Sequence, residues 1–120
     1  MPHGLGHLIG LDVHDVGGYG QHLPQRSTLP GLKCLRTARI LKPNMTITVE
    51  PGCYFIWPVI QGIIKRNDAL AAFLNMSELE RFKDFGGVRI ESDCVIHEDR
   101  CEDMCDVPRS IEEIEALMRK

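Results

Sequence analysis

His3-Gly4-Leu5-Gly6-His7-Leu8-Ile9-Gly10-Leu11-Asp12-Val13-His14, residues 3–14, holds three of the five histidines of a 120-residue chain. His3 and His7 stand four apart, as the two histidines of a helical His-Glu-x-x-His zinc site do. Gly4 and Gly6 lie between them, however, and no glutamate follows His3. Each glycine costs a helix interior about 1 kcal/mol relative to alanine, so the run is better suited to irregular backbone passing close to a ligand. From Leu8 to Val16 the residues are apolar and β-branched, bounded by Gly6 and by Gly17-Gly18, which predicts a short strand. The histidines are then carried at the ends of a strand and not along a helix.

Working outward, residues 17–33 are rich in Gly, Pro, Gln and Ser without periodicity and predict a long surface loop, a kind that is often functional. Leu41-Lys42-Pro43-Asn44-Met45 reads as a turn. Thr46-Ile47-Thr48-Val49-Glu50 reads as a strand stopped by Pro51-Gly52, and Cys53 to Ile56 as a second strand, so Glu50 sits at a strand end. Between Asn67 and Lys83 the apolar spacing predicts one broken helix or two short ones, with Ser77 as an internal N-cap and Glu80 three residues on. After Gly86-Gly87, Val88 to Ile96 alternates as one strand, with Val88, Ile90, Cys94 and Ile96 on one face and Arg89, Glu91 and Asp93 on the other. Ser110-Ile111-Glu112-Glu113 is a capping box. Ile111, Ile114, Leu117 and Met118 give the helix behind it an apolar stripe, most simply a docking face.

Composition bounds the function classes. With 43% hydrophobic and 26% charged residues the chain is ordinary globular material for at most one domain. The formal charge is -3, and Lys and Arg are spread along the chain, which argues against nucleic acid or an anionic membrane surface as partner. No apolar run nears the roughly 20 residues of a bilayer span, and the N-terminus lacks the layout of a signal peptide. The expectation is a cytoplasmic protein. Five cysteines, an odd number with no Cys-x-x-Cys pair, predict free thiols; Cys101 and Cys105 have no second pair with which to build a zinc site.

The chemistry lies in polar residues at strand ends. His7, Glu50 and Glu91 each sit in a β-like segment next to glycine or proline, and a folded sheet could bring one imidazole and two carboxylates together. Such a set suits a metal, and two carboxylates with one imidazole favour harder ions such as manganese over zinc. A lone glutamate on a strand is also commonly solvent-exposed or ion-paired, so spacing alone leaves both readings open.

Four ordered motifs carry a resemblance: His3-Gly4-Leu5-Gly6-His7, Leu11-Asp12-Val13-His14-Asp15, Thr48-Val49-Glu50-Pro51-Gly52 and Gly87-Val88-Arg89-Ile90-Glu91. In order and spacing they resemble the motifs of the M24 "pita-bread" metallopeptidases. Leu35-Arg36-Thr37-Ala38-Arg39, Phe85 to Arg89 and Val107-Pro108-Arg109-Ser110-Ile111-Glu112 resemble the prolidase branch, which cleaves Xaa-Pro dipeptides. The likeness runs over essentially the whole chain, loosest at 19–33 and 56–76. It implies an α+β architecture, the C-terminal part of a pita-bread fold, with an antiparallel sheet and covering helices, incomplete in this chain.

The resemblance also implies roles. His7, Glu50 and Glu91 fall on three of five ligands to a pair of divalent metal ions, manganese being favoured, with Glu91 bridging. His3 and His14 fall on histidines of the substrate pocket, His14 being the better placed to bind substrate or move a proton. Arg36 falls on the arginine that grips the free carboxylate of a C-terminal proline, and Arg89 supports the metal carboxylates. The two remaining ligands are aspartates on an upstream hairpin that no part of this chain resembles; Asp12 and Asp15 sit beside His14 and do not replace them. Residues 1–120 are therefore expected to be a C-terminal fragment of the catalytic domain, inactive alone, of an enzyme that is a homodimer when whole. The alternatives are an Xaa-Pro aminopeptidase and a non-catalytic homologue acting as a binding module.

Overall fold

The computed structural model describes residues 1–66 and 69–119, which divide into two compact units, Gly52–Arg89 and the remainder. The larger unit is built on a three-stranded antiparallel sheet in the order β1-β4-β5, with β1 at Thr46–Val49, β4 at Ser92–Ile96 and β5 at Cys101–Asp103. Thr-Ile-Thr-Val is a β-branched run that suits a pleated, half-buried surface. The strand is entered by a turn in which Met45 N–H bonds back to Lys42 and Asn44 takes a positive φ of 68°, a conformation asparagine tolerates.

Along β1 runs the segment 5–9. Glu50 N–H donates to Leu5 O, Thr48 N–H to His7 O and Ile9 N–H to Thr46 O, with a bridge between Leu8 and Ile47. Gly6 is needed for this approach: a Cβ there would lie 1.8 Å from the carbonyl oxygen of Thr48. The strand predicted over Leu8–Val16 is corrected here, since the pairing is over by Ile9. Gly10 N–H then bonds Asp12 O and Asp15 N–H bonds Leu8 O, so the chain closes on itself and leaves Leu11, Val13 and Val16 exposed. Their apolar pattern has no second edge to pair with.

The core of this unit is small. Leu8 and Cys94 are its buried apolar side chains, and they lie in a unit whose other buried residues are His7, Thr48 and Glu50. Burial, and next the neighbouring Cys101 thiol, push Cys94 up to about 11, so it stays protonated and inert. All five cysteines are free, as expected.

The single strand predicted over Val88–Ile96 is in fact two, β3 at Gly87–Arg89 and β4, interrupted at Ile90 and Glu91. The strands predicted at 46–50 and 53–56 are likewise trimmed to β1 and to β2 at Gly52–Tyr54, interrupted at Glu50 and Pro51. Proline has no N–H to give a ladder. Val49 pairs with Ser92, and Pro51 O accepts from Ile90 N–H at 3.1 Å, so carrying the β1·β4 register one step on sets Glu50 opposite Glu91.

In the smaller unit β2 and β3 pair antiparallel, Gly52 with Arg89 and Tyr54 with Gly87. Between them come α1 at Trp57–Lys65, a 3₁₀ helix at Ala69–Phe73 and α2 at Met76–Arg81. The sequence reading missed α1, whose only start signal is Pro58 in its first turn. It also put the α2 cap at Ser77; the cap is Asn75, whose Oδ1 accepts from Glu78 N–H and from the Ser77 hydroxyl. The helix predicted from Asn67 begins outside the described residues. Phe55 stacks on Phe82 at 4.7 Å between centroids, and Phe85 packs edge-on to both.

The final helix, α3 at Ile111–Met118, carries the predicted capping box: Ser110 Oγ accepts from Glu113 N–H, and Glu113 accepts from Ser110 N–H. Its stripe of Ile111, Ile114, Leu117 and Met118 is exposed.

Candidate metal centre

Three elements deliver the candidate ligands. His7 is held by its own backbone, whose N–H donates to Thr48 Oγ1 and whose carbonyl accepts from Thr48 N–H, both at 2.9 Å. Its Nδ1 lies 3.1 Å from Leu8 O, an oxygen that only accepts, so Nδ1 carries a proton and Nε2 is the nitrogen left to act as a ligand. Glu50 follows the last residue of β1, its N–H bonded to Leu5 O at 2.7 Å and its carboxylate turned toward His7. Its Oε1 accepts from the Thr48 hydroxyl at 2.9 Å. Glu91 enters from the opposite break, and its side chain is half-buried whereas His7 and Glu50 are buried.

Ligand atoms of His7, Glu50 and Glu91 all lie within 4.8 Å of one another, and among the described residues this is the one such group of His, Cys, Asp or Glu. His7 Nε2 stands 3.2 Å from Glu50 Oε1. With Nδ1 protonated, a neutral ring presents a lone pair there, and it faces a carboxylate oxygen. Two buried acceptors at that distance repel unless a proton or a metal ion stands between them. Donor atoms each about 2.1 Å from one ion stand roughly 3 Å apart, so the spacing, the burial and the N/O donor set all fit a divalent cation.

The structure sets two further histidines beside this group. His14 meets His7 edge-on, with ring centroids 4.5 Å apart. His3 Nδ1 lies 3.9 Å from Glu50 Oε2 and 2.7 Å from the carbonyl of Gly4. Asp12 and Asp15 take no part in the group; Asp15 Oδ1 instead accepts from Val16 N–H. Arg36 is exposed on the loop leading to β1, and its guanidinium makes no polar contact among the described residues. Arg89 closes β3 in the other unit, opposite Gly52. Cys101 and Cys105 form no group with other metal-binding residues.

Sequence reasoning overlooked Thr48, the most buried of the polar residues at 2% exposure, which ties His7 to Glu50. The signal was available: Thr48 precedes Glu50 by two, the spacing that puts strand residues on one side. A threonine in a strand passes as an ordinary β-former, so the hydroxyl drew no notice.

The family model for metallopeptidase family M24 matches residues 1–98. The chain is 53% identical over 118 residues to the Xaa-Pro dipeptidase of Rattus norvegicus and, with the same figures, to that of Homo sapiens. Each comparison takes in 98% of this chain and 24% of the relative, so the chain spans about a quarter of the length of the curated relatives it matches. Among solved structures, the aminopeptidase PepP of Pseudomonas aeruginosa resembles it with a TM-score of 0.54 and 35% identity, over 96% of this chain and 20% of that one. The antiparallel sheets and helices described above are accordingly part of a pita-bread fold. Sequence, fold and the matched residues agree that the chain belongs to metallopeptidase family M24.

Proposed function

We propose that residues 1–120 are the C-terminal portion of the catalytic domain of an Xaa-Pro dipeptidase and supply three ligands, His7, Glu50 and Glu91, to a pair of divalent metal ions, manganese being favoured. The observation that carries this is the convergence of one imidazole nitrogen and two carboxylates within 4.8 Å, two of the three residues being buried. In this reading two further ligands, aspartates, belong to the three quarters or so of the dipeptidases' length that this chain does not match. The chemistry such ions supply when bound is Lewis acidity, which acidifies water toward neutral pH and polarises a peptide carbonyl.

In this reading each side chain has a task of its own. His7 binds through Nε2 while its Nδ1–H on Leu8 O fixes the ring. Glu50 and Glu91 would hold the ions and offset their charge, and Glu50 would serve the reaction from its buried place. The Thr48 hydroxyl occupies one Oε1 lone pair and so orients Glu50. His14, packed on His7, binds the substrate or carries a proton, and His3 lines the pocket on the Glu50 side. Arg36 holds the carboxylate of the substrate's proline, a charge-assisted contact that sets the dipeptide's register. Arg89 supports the metal carboxylates.

The whole protein is proposed to work as a cytoplasmic homodimer; no helix among the described residues is long and apolar enough to cross a membrane. The test is hydrolysis of glycyl-proline by the full reading frame with manganese. We expect Glu91→Ala to lower kcat/KM by more than the roughly 10–100-fold that outer partners of a metal site cost; undiminished turnover would refute the assignment. Residues 1–120 alone are expected to be inactive. The likeness to an aminopeptidase structure favours one rival, an Xaa-Pro aminopeptidase. It predicts turnover of Arg-Pro-Pro in preference to glycyl-proline, and indifference to Arg36→Ala.

A further inference from the structure

We infer that Arg109 is a positioning residue that fixes the backbone of Glu91 and thereby sets the reach of its carboxylate, an inference that rests on the site proposed above. Glu91 stands where the β-ladder lapses. Ser92 is the first residue of β4 to pair, with Val49, and Arg89 is the last of β3. The carbonyl of Glu91 is therefore met by a side chain: Arg109 Nη2 donates to it at 3.0 Å, while Nη1 donates to Ser92 Oγ at 2.8 Å. One planar guanidinium grips two consecutive residues of the main chain and its flank, which a single ammonium could not do in the same geometry.

The guanidinium is itself held. Arg109 Nη2 lies 3.3 Å from Asp103 Oδ2, and the same carboxylate oxygen accepts from the Ser92 hydroxyl at 2.8 Å. Asp103 Oδ1 accepts from Cys105 N–H at 2.9 Å. That backbone N–H above all, then the Ser92 hydroxyl, keeps the Asp103 carboxyl below the usual carboxylate range, so it is ionised at neutral pH. From the other direction, Arg109 N–H donates to Glu113 Oε2 at 3.2 Å, which ties the residue to the capping box of α3. Arg109 thus joins β5 and the start of α3 to the break at Glu91. Glu50, across the register, needs no such brace because its own N–H is bonded to Leu5 O at 2.7 Å.

The experiment uses the full reading frame, stripped of metal and titrated with manganese in a calorimeter, alongside thermal unfolding of the metal-free protein. Wild type, Glu91→Ala, Arg109→Ala and Arg109→Lys are compared, with kcat and KM for glycyl-proline as a second readout. Arg109→Ala should weaken manganese binding about 10–100-fold, the range for residues that orient a ligand, and lower kcat with KM little changed. Arg109→Lys keeps the charge without the fork and should recover only part of the affinity. Wild-type affinity in Arg109→Ala overturns the inference alone, as does full recovery in Arg109→Lys. If Arg109→Ala does not fold, Arg109→Lys decides: an affinity loss of about tenfold at an unchanged unfolding midpoint supports the inference, and wild-type affinity overturns it. Should wild type and Glu91→Ala bind manganese equally poorly, the site reading itself falls and takes this inference with it.

Discussion

The two carboxylates of the candidate centre face each other across one register, yet they are held by different means. On the Glu50 side the hold is main-chain pairing and one buried hydroxyl: the segment 5–9 lies along β1, and Thr48 joins His7 to Glu50. On the Glu91 side the residue is half-buried, and its carbonyl is bonded by a guanidinium eighteen positions away. A ligand set can therefore combine a rigid half made by the ladder with a braced half made by side chains. Damage should read out differently on each: as lost folding on the first, as lost precision on the second.

The largest effect is expected from Gly6→Ala. Its Cβ would meet the Thr48 carbonyl at 1.8 Å, and backbone cannot yield as a side-chain tip would, so the segment 5–9 must leave the edge of β1. We expect a loss of about 3 kcal/mol in urea unfolding, the upper part of the usual range for overpacking, with manganese binding lost too. Unfolding at the wild-type midpoint would mean that the segment 5–9 is not held rigidly along β1.

Next comes Thr48→Val, which keeps the shape and removes the hydroxyl. His7 N–H then loses its buried acceptor and Glu50 loses the hydroxyl of Thr48, at a cost of about 1–3 kcal/mol. Binding of manganese should weaken as well, by about 10–100-fold. Equal affinity in calorimetry would mean that burial alone orients Glu50.

Ser110→Ala, on the braced side, should do least: about 1 kcal/mol of stability, as for other N-caps, and a smaller change in metal affinity, passed on through Arg109. Its pH dependence has a definite sign. Ser110 N–H first, then the Ser110 hydroxyl and Arg109 N–H, keep the Glu113 carboxyl below its usual range. A carboxylate so depressed adds stability above its unfolded value and loses it as the pH falls through the folded one. The gap between wild type and Glu113→Gln should thus be full near neutrality and close below about pH 4. A gap that persists in acid would place the stabilisation elsewhere.

What could be read from the sequence was what neighbours in the chain decide. The β-branched run at 46–49, the capping box at 110–113 and the refusal of His3 and His7 to lie on a helix all depend on residues within four of each other. What could not be read depends on partners far along the chain. Val88 to Ile96 alternates without a flaw, and only its pairing with two different strands shows the break at Ile90 and Glu91. Leu11, Val13 and Val16 have the pattern of a strand and no edge to join. Asn75 and Ser77 are both good caps, and local preference does not choose between them. His7, Glu50 and Glu91 were legible as residues at strand ends; of the residues that hold them, Thr48 is marked only by standing two before Glu50, and Arg109 by nothing local.

Register has a consequence for how the chain tolerates changes in length. Glu50 and Glu91 meet because Val49 pairs with Ser92, not because of the number of residues that separate them. Removing one residue from β1 or β4 would send a carboxylate to the opposite side of its strand. Adding several between α1 and α2 changes only the cost of closing a longer loop, about 0.6 kcal/mol for each doubling. Relatives of this protein should therefore vary in length between Phe55 and Phe85 and hardly at all within 46–51 or 90–96.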